Sequence, residues 1–151
     1  MNSAVSFGLL FTLAVSSSIA QKINRWPGFH GADRTNKSAE VGLIKEWPKD
    51  GPKLLLTVSG LGDGYSSVSI ADGLLYTAGS TINQTYVYAF TLNGKQVWKK
   101  PNGKAWTTTL SYASSYTGSR STPTFDSGII YHLGEMGRLA AYSSKNGEEI
   151  W

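Results

Sequence analysis

The strongest constraint on this chain is internal: one unit is present twice. Shifting the sequence by 55 positions lays residues 67–79 (SVSIADGLLYTAG) on 122–134 (TPTFDSGIIYHLG), so that Gly73, Tyr76 and Gly79 recur as Gly128, Tyr131 and Gly134. Leu74 and Leu75 find their conservative counterparts in Ile129 and Ile130. A second block follows at an offset of 52 to 53, where Ala89, Phe90, Gly94 and Trp98 fall on Ala141, Tyr142, Gly147 and Trp151. A repeated unit cannot bury its apolar face alone and must stack on its neighbour. Everything else in the sequence is read inside that frame.

The unit reads as four short strands. An opening strand (about 66–71 and 121–126) runs into Asp72-Gly73 or Ser127-Gly128, a hairpin signal because glycine takes positive φ at little cost. Second strands follow at 74–78 and 129–133, third strands at 86–91 and 138–142. In the third, Val87, Ala89 and Thr91 alternate with Tyr86, Tyr88 and Phe90, the period of two of a strand. Asn93-Gly94 and Asn146-Gly147 turn into short closing strands at 97–98 and 150–151. No stretch has a convincing helical period. The expected fold is therefore all-β, a partial β-propeller of about two four-stranded blades.

Ahead of the repeats, residues 5–15 (VSFGLLFTLAV) form an apolar run of 11, too short to span a bilayer and right for a signal-peptide core. Ser18 and Ala20 supply the small residues of a cleavage site, although no Lys or Arg precedes the run. The expected organisation is a signal peptide at 1–20, an extended segment at 21–52 and incomplete propeller blades at 53–151. Export to the periplasm or outside the cell follows, with no membrane span after cleavage. The chain has no cysteine, which removes disulfide scaffolds, thiolate metal centres, thiol nucleophiles and a lipoprotein anchor.

The net charge of +4 resides in Lys95, Lys99, Lys100 and Lys104, since charges cancel over the rest of the mature sequence. Four lysines without an arginine lack the bidentate readers of bases, so they are expected to guard a strand edge and no nucleic-acid partner is expected. The run Gly60-Leu61-Gly62-Asp63-Gly64 precedes a strand and not a helix, which argues for a flexible connection and against a phosphate loop. His30 and His132 belong to no cluster with ligand spacing, so no metal site is expected. Neither histidine has a recognisable orienting carboxylate, and there is no G-x-S-x-G elbow.

The unit "D-G turn, L-x-Y, A-F, N-G-K-x-x-W" resembles the PQQ-like (quinoprotein) β-propeller repeat. Upstream, residues 26–34 (WPGFHGADR) are similar to the W-P-x-F-R-G-x-x-R opening of secreted, planctomycete-type PQQ-like repeat proteins, with His30 in place of the usual arginine. The resemblance covers about residues 26–151. It implies that Trp98 and Trp151 dock between neighbouring blades, with Gly73, Gly94, Gly128 and Gly147 as turn glycines. It also implies a closed ring of more blades, so that this chain is an N-terminal fragment in which 53–58 (KLLLTV) is an outer closing strand. The implied role is a binding or scaffolding module with a protein partner or small ligand at the propeller face. The alternative is the N-terminal part of a quinone-dependent alcohol or sugar dehydrogenase, whose PQQ and calcium would need blades beyond Trp151. Catalytic residues are not assigned. Trp106 is the candidate for stacking a flat ligand, with Arg120, Asp126 and Glu135 as funnel-lining charges. A carbohydrate-binding surface of Trp106, Tyr112 and Tyr116 is a third reading.

Overall fold

The protein is described by a computed structural model over residues 25–151; the expected leader at 1–20 lies outside the described residues. The chain forms two antiparallel sheets in simple up-and-down order. The first contains β1 (Ser69–Ala71), β2 (Leu74–Ser80), β3 (Gln84–Thr91) and β4 (Gln96–Lys104), the second β5 (Thr124–Asp126), β6 (Ile129–Leu133) and β7 (Leu139–Ser143). The fold is all-β, with one short 3-10 segment at Ser111–Tyr116 among the described residues.

Turn chemistry sets the hairpins. Asp72 and Gly73 have φ of 49° and 77°, Ser127 and Gly128 of 48° and 84°. Two successive positive φ values make a type I′ turn, whose twist matches that of the strands it joins. The opening strands are shorter than expected, three residues each, and β4 is far longer, nine residues. The expected fourth strand at 150–151 does not form. Its main chain still runs beside β7: Ala141 donates to the Trp151 carbonyl at 2.9 Å, Ile150 to Ala141 at 2.8 Å and Ser143 to Glu148 at 2.8 Å. A lone bridge, Tyr142 with Glu149, is too little ladder for a strand.

The sheets pack face to face. Register places Tyr76 opposite Ala89 and Ala89 opposite Trp98, so a small residue separates two aromatics in one cross-strand row. Phe125, Ile130, Ala140 and Tyr142 come from the second sheet into the same core. Ring centroids lie 6.0 Å apart for Tyr76 and Trp98, and 6.4 Å for Trp98 and Tyr142. The buried indole needs a partner for its N–H. Trp98 Nε1 donates to the Ser144 carbonyl at 2.9 Å, a bond from one sheet to the other.

The outer face of β3 is also covered, which alternation alone does not forecast. Tyr88 and Phe90 are buried, and Tyr88 Oη donates to the Leu61 carbonyl at 3.0 Å. Residues 53–58, expected as a closing strand, form no ladder among the described residues. Leu56 and Val58 lie over the β3–β4 turn, while Leu54 and Leu55 point outward, 78% and 86% exposed. Alternation turns Leu55 away from the side on which Leu56 and Val58 meet that turn.

The N-terminal segment is part docked and part exposed. Trp26 exchanges two hydrogen bonds of 2.9 Å with Ile70 in β1, and Phe125 in β5 donates to the Pro27 carbonyl at 2.7 Å. Residues 26–27 thus tie together the opening strands of both sheets. From 32 to 50 the chain is exposed and irregular. The lysines fall on β4, an edge of its sheet, and on the turn leading to it, with Lys99 Nζ 3.9 Å from the centroid of Tyr86.

Candidate functional site

The connection from β4 to β5 folds back on the molecule instead of spanning it directly. Tyr65 Oη donates to the Ser115 carbonyl at 2.6 Å, and the main chain of Tyr65 and Ser66 donates to Ser119 at 2.7 and 3.1 Å. The glycine run 60–64 is pinned and not a free connector: Asp63 and Ser80 exchange two main-chain bonds of 2.8 Å. Arg120 completes the fold-back. Its guanidinium lies 4.8 and 5.9 Å from the ring centroids of Tyr65 and Tyr116 and donates to the Tyr116 carbonyl at 2.7 Å.

Glu135, in the turn between β6 and β7, reaches across to the first sheet. Its Oε1 accepts from Ser80 Oγ and from Thr85 Oγ1 (2.9 Å), its Oε2 from the Trp106 main-chain N–H at 2.9 Å. Ser80 and Glu135 are equivalent positions of the repeat, 55 apart. That clamp sets the Trp106 backbone against the second sheet. Between Trp106, Tyr116, Arg120, Leu133 and Glu135 opens a cavity of about 240 Å³. Trp106 also lines a neighbouring cavity of about 220 Å³. Arg120 has no acidic partner among the described residues.

Of the residues singled out in the sequence, Trp106, Arg120 and Glu135 come together here with Tyr116. Asp126 does not: it lines a separate open hollow with Arg25, His30 and Arg34. Tyr112 sits outside the cavity, 75% exposed. Trp98 lies between the sheets, whereas Trp151 is 56% exposed and leans on Tyr131, ring centroids 6.1 Å apart.

Behind the cavity wall lies a polar network that sequence spacing did not reveal. His132 on β6 is buried, and burial pushes its pKa down to about 4. Asn102 on β4 is its orienting partner: Nδ2 lies 2.7 Å from His132 Nδ1 and donates to the His132 carbonyl at 3.0 Å. Arg138 donates to Asn102 Oδ1 at 2.8 Å, to Tyr142 Oη at 3.1 Å and to Glu149 at 2.5 Å. The one available signal was position: His132 shares the buried face of β6 with Ile130, two residues away, and a buried imidazole needs a partner.

Ser119 Oγ, 3.3 Å from His132 Nε2, raises the question of a nucleophile and base. The network answers it. Because Arg138 fixes the Asn102 oxygen, Asn102 presents N–H to Nδ1, which must accept, so the ring proton sits on Nε2. Nε2–H then donates to the Ser121 carbonyl, 3.2 Å away, and cannot take a proton from Ser119. Ser119 is also fully buried. The pair is structural.

The quinone and calcium set does not fit the described residues. No group of three or more His, Cys, Asp or Glu side chains converges among them. The one carboxylate at the Trp106 cavity, Glu135, already accepts three hydrogen bonds. No helix among the described residues is long and apolar enough to cross a membrane. No protein-family model matches the chain, and no curated protein matches it.

Proposed function

We propose that this chain belongs to an exported β-propeller of the PQQ-like repeat type and works by binding, with its two sheets as blades. The face bearing Trp106, Tyr116, Arg120 and Glu135 is the one that meets a ligand or a partner. The observation that carries the reading is Arg120, a cation near two tyrosine rings at the rim of a cavity, with no ion-pair partner among the described residues. A charge fixed in that way is a group kept for something else. The propeller reading draws support from the face-to-face packing through Trp98 and from the adjoining opening strands.

The test is a fragment screen by NMR on the chain as it stands, reading the Trp106 indole N–H, assigned through its loss in Trp106→Phe. Ligands that shift this signal and lose affinity in Arg120→Leu support the reading; a screen whose hits all avoid the cavity overturns it. On a protein carrying the further blades that this alternative requires, PQQ with calcium separates the dehydrogenase reading. Calcium-dependent binding of PQQ, with dye reduction on adding an alcohol, would replace the binding module by an enzyme.

A further inference from the structure

We propose, resting on the binding reading above, that the Trp106 cavity takes a single neutral pyranose ring, the end of a carbohydrate. The argument is one of elimination by chemistry. The cavity of about 240 Å³ is below the 300–1,000 Å³ of sites for drug-sized ligands, so one ring fills it. Its lining includes Trp106, Tyr116 and Leu133, residue types whose apolar surfaces suit the C–H face of a sugar. Its charged groups are one cation, Arg120, and one anion, Glu135. An anionic ligand would gain Arg120 but bring a second negative charge into the cavity that holds Glu135. A purely apolar ligand would desolvate the remaining guanidinium N–H groups with nothing to pair them, at a cost that cancels its burial.

Hydroxyls satisfy both ends. Arg120 donates to the Tyr116 carbonyl through one nitrogen, which leaves its other N–H groups for sugar oxygens. Glu135 accepts three hydrogen bonds within the protein, and a carboxylate has about four acceptor positions, so one sugar O–H can be received. Both side chains are already fixed, Glu135 by Ser80 and Thr85, Arg120 by its tyrosines, so little ordering remains to be supplied on binding.

The experiment titrates the full chain with the methyl glycosides of glucose, galactose and mannose, read by saturation-transfer NMR and by tryptophan fluorescence. At least one glycoside is expected to bind saturably. Trp106→Ala and Arg120→Leu should each weaken it by about tenfold or more, Trp106→Phe should restore most of the loss, and Tyr112→Ala should change nothing. Melting temperatures of all variants guard against unfolding, which is not expected at these exposed positions. Absence of saturable binding by every glycoside, or binding that Trp106→Ala leaves intact, overturns the proposal. Nucleosides and benzoate are run beside the sugars. If one of those occupies the cavity instead, the sugar assignment fails and the binding module stands; if no probe and no fragment reaches Trp106, both fail.

Discussion

Trp98 and Trp151 hold the same place in the repeated unit, and the first is 6% exposed while the second is 56% exposed. The neighbours explain the gap. Trp98 has the second sheet across from it, with Tyr142 beside its ring and the Ser144 carbonyl on its N–H; the Trp151 ring leans on Tyr131 of its own sheet. The tryptophan is thus a property of the junction between two sheets and not of the sheet that carries it. The sharpest way to break this comparison is to remove each indole. Trp98→Ala should cost about 3–5 kcal/mol in urea unfolding, and Trp151→Ala about 1 kcal/mol or less. Equal losses would mean that the repeat is stabilised within each sheet and that the junction is incidental.

A second asymmetry is electrical. Thr77 and His132 are equivalent positions, 55 apart, and each turns a side-chain group toward the segment just before the opening strand of its own sheet: Thr77 Oγ1 donates to Ser67 and His132 Nε2 to Ser121. Only the histidine titrates. Its folded pKa of about 4 lies below the ordinary 6.5, because burial disfavours the charged ring. The unfolded chain therefore binds a proton that the folded chain does not, and stability is full above pH 6.5. It falls by about 1.4 kcal/mol per pH unit as pH drops toward 4, about 3 kcal/mol in all, and levels off below. Unfolding measured across this window in wild type and His132→Gln should give curves that diverge by this slope. Parallel curves would place the acid sensitivity elsewhere.

The glycines of the two Asn-Gly turns are counterparts with unequal surroundings. A Cβ on Gly147 would meet Trp98 Cδ2 at 2.7 Å, and one on Gly94 would meet the tip of Leu56, Cδ1, at 2.5 Å. Both residues have positive φ, so alanine costs about 1–2 kcal/mol at either from the backbone alone. A leucine tip can rotate away, whereas the Trp98 ring is locked in the core. Gly147→Ala should therefore cost about 2 kcal/mol more than Gly94→Ala, read by the same urea titrations. A smaller gap would show that the junction gives under pressure.

How far this was legible depends on whether the signal was local. The type I′ turns were carried by Asp72-Gly73 and Ser127-Gly128, and the strands by alternation, because both are set by nearest neighbours. Trp106, Arg120 and Glu135 could be chosen as chemistry-bearing residues, but not assembled. Glu135 meets Ser80 and Thr85 only because the sheets pack face to face. Asn102 meets His132 and Arg138 at separations of 30 and 36 residues, with no spacing rule behind it. The run 53–58 is a different case: its local strand signal, LLL before Thr57 and Val58, is read as a strand that pairs with a more distant blade, and here it forms no ladder while Leu56 and Val58 cover the β3–β4 turn.

The smallest effect is the one expected to be the same in both halves. Gly73 and Gly128 have φ of 77° and 84°, and a Cβ at either would meet nothing within 4 Å. With no neighbour to strike, alanine pays only for the left-handed backbone, about 1–2 kcal/mol at each site. Gly73→Ala and Gly128→Ala should therefore agree closely, although one turn lies in a four-stranded sheet and the other in a three-stranded one. Agreement would place the inequality of the two copies at their junction. If Gly128→Ala were clearly the more costly, the second sheet would be weak in its own hairpin, and the contrast between Trp98 and Trp151 would need to be reread as a difference in strand pairing.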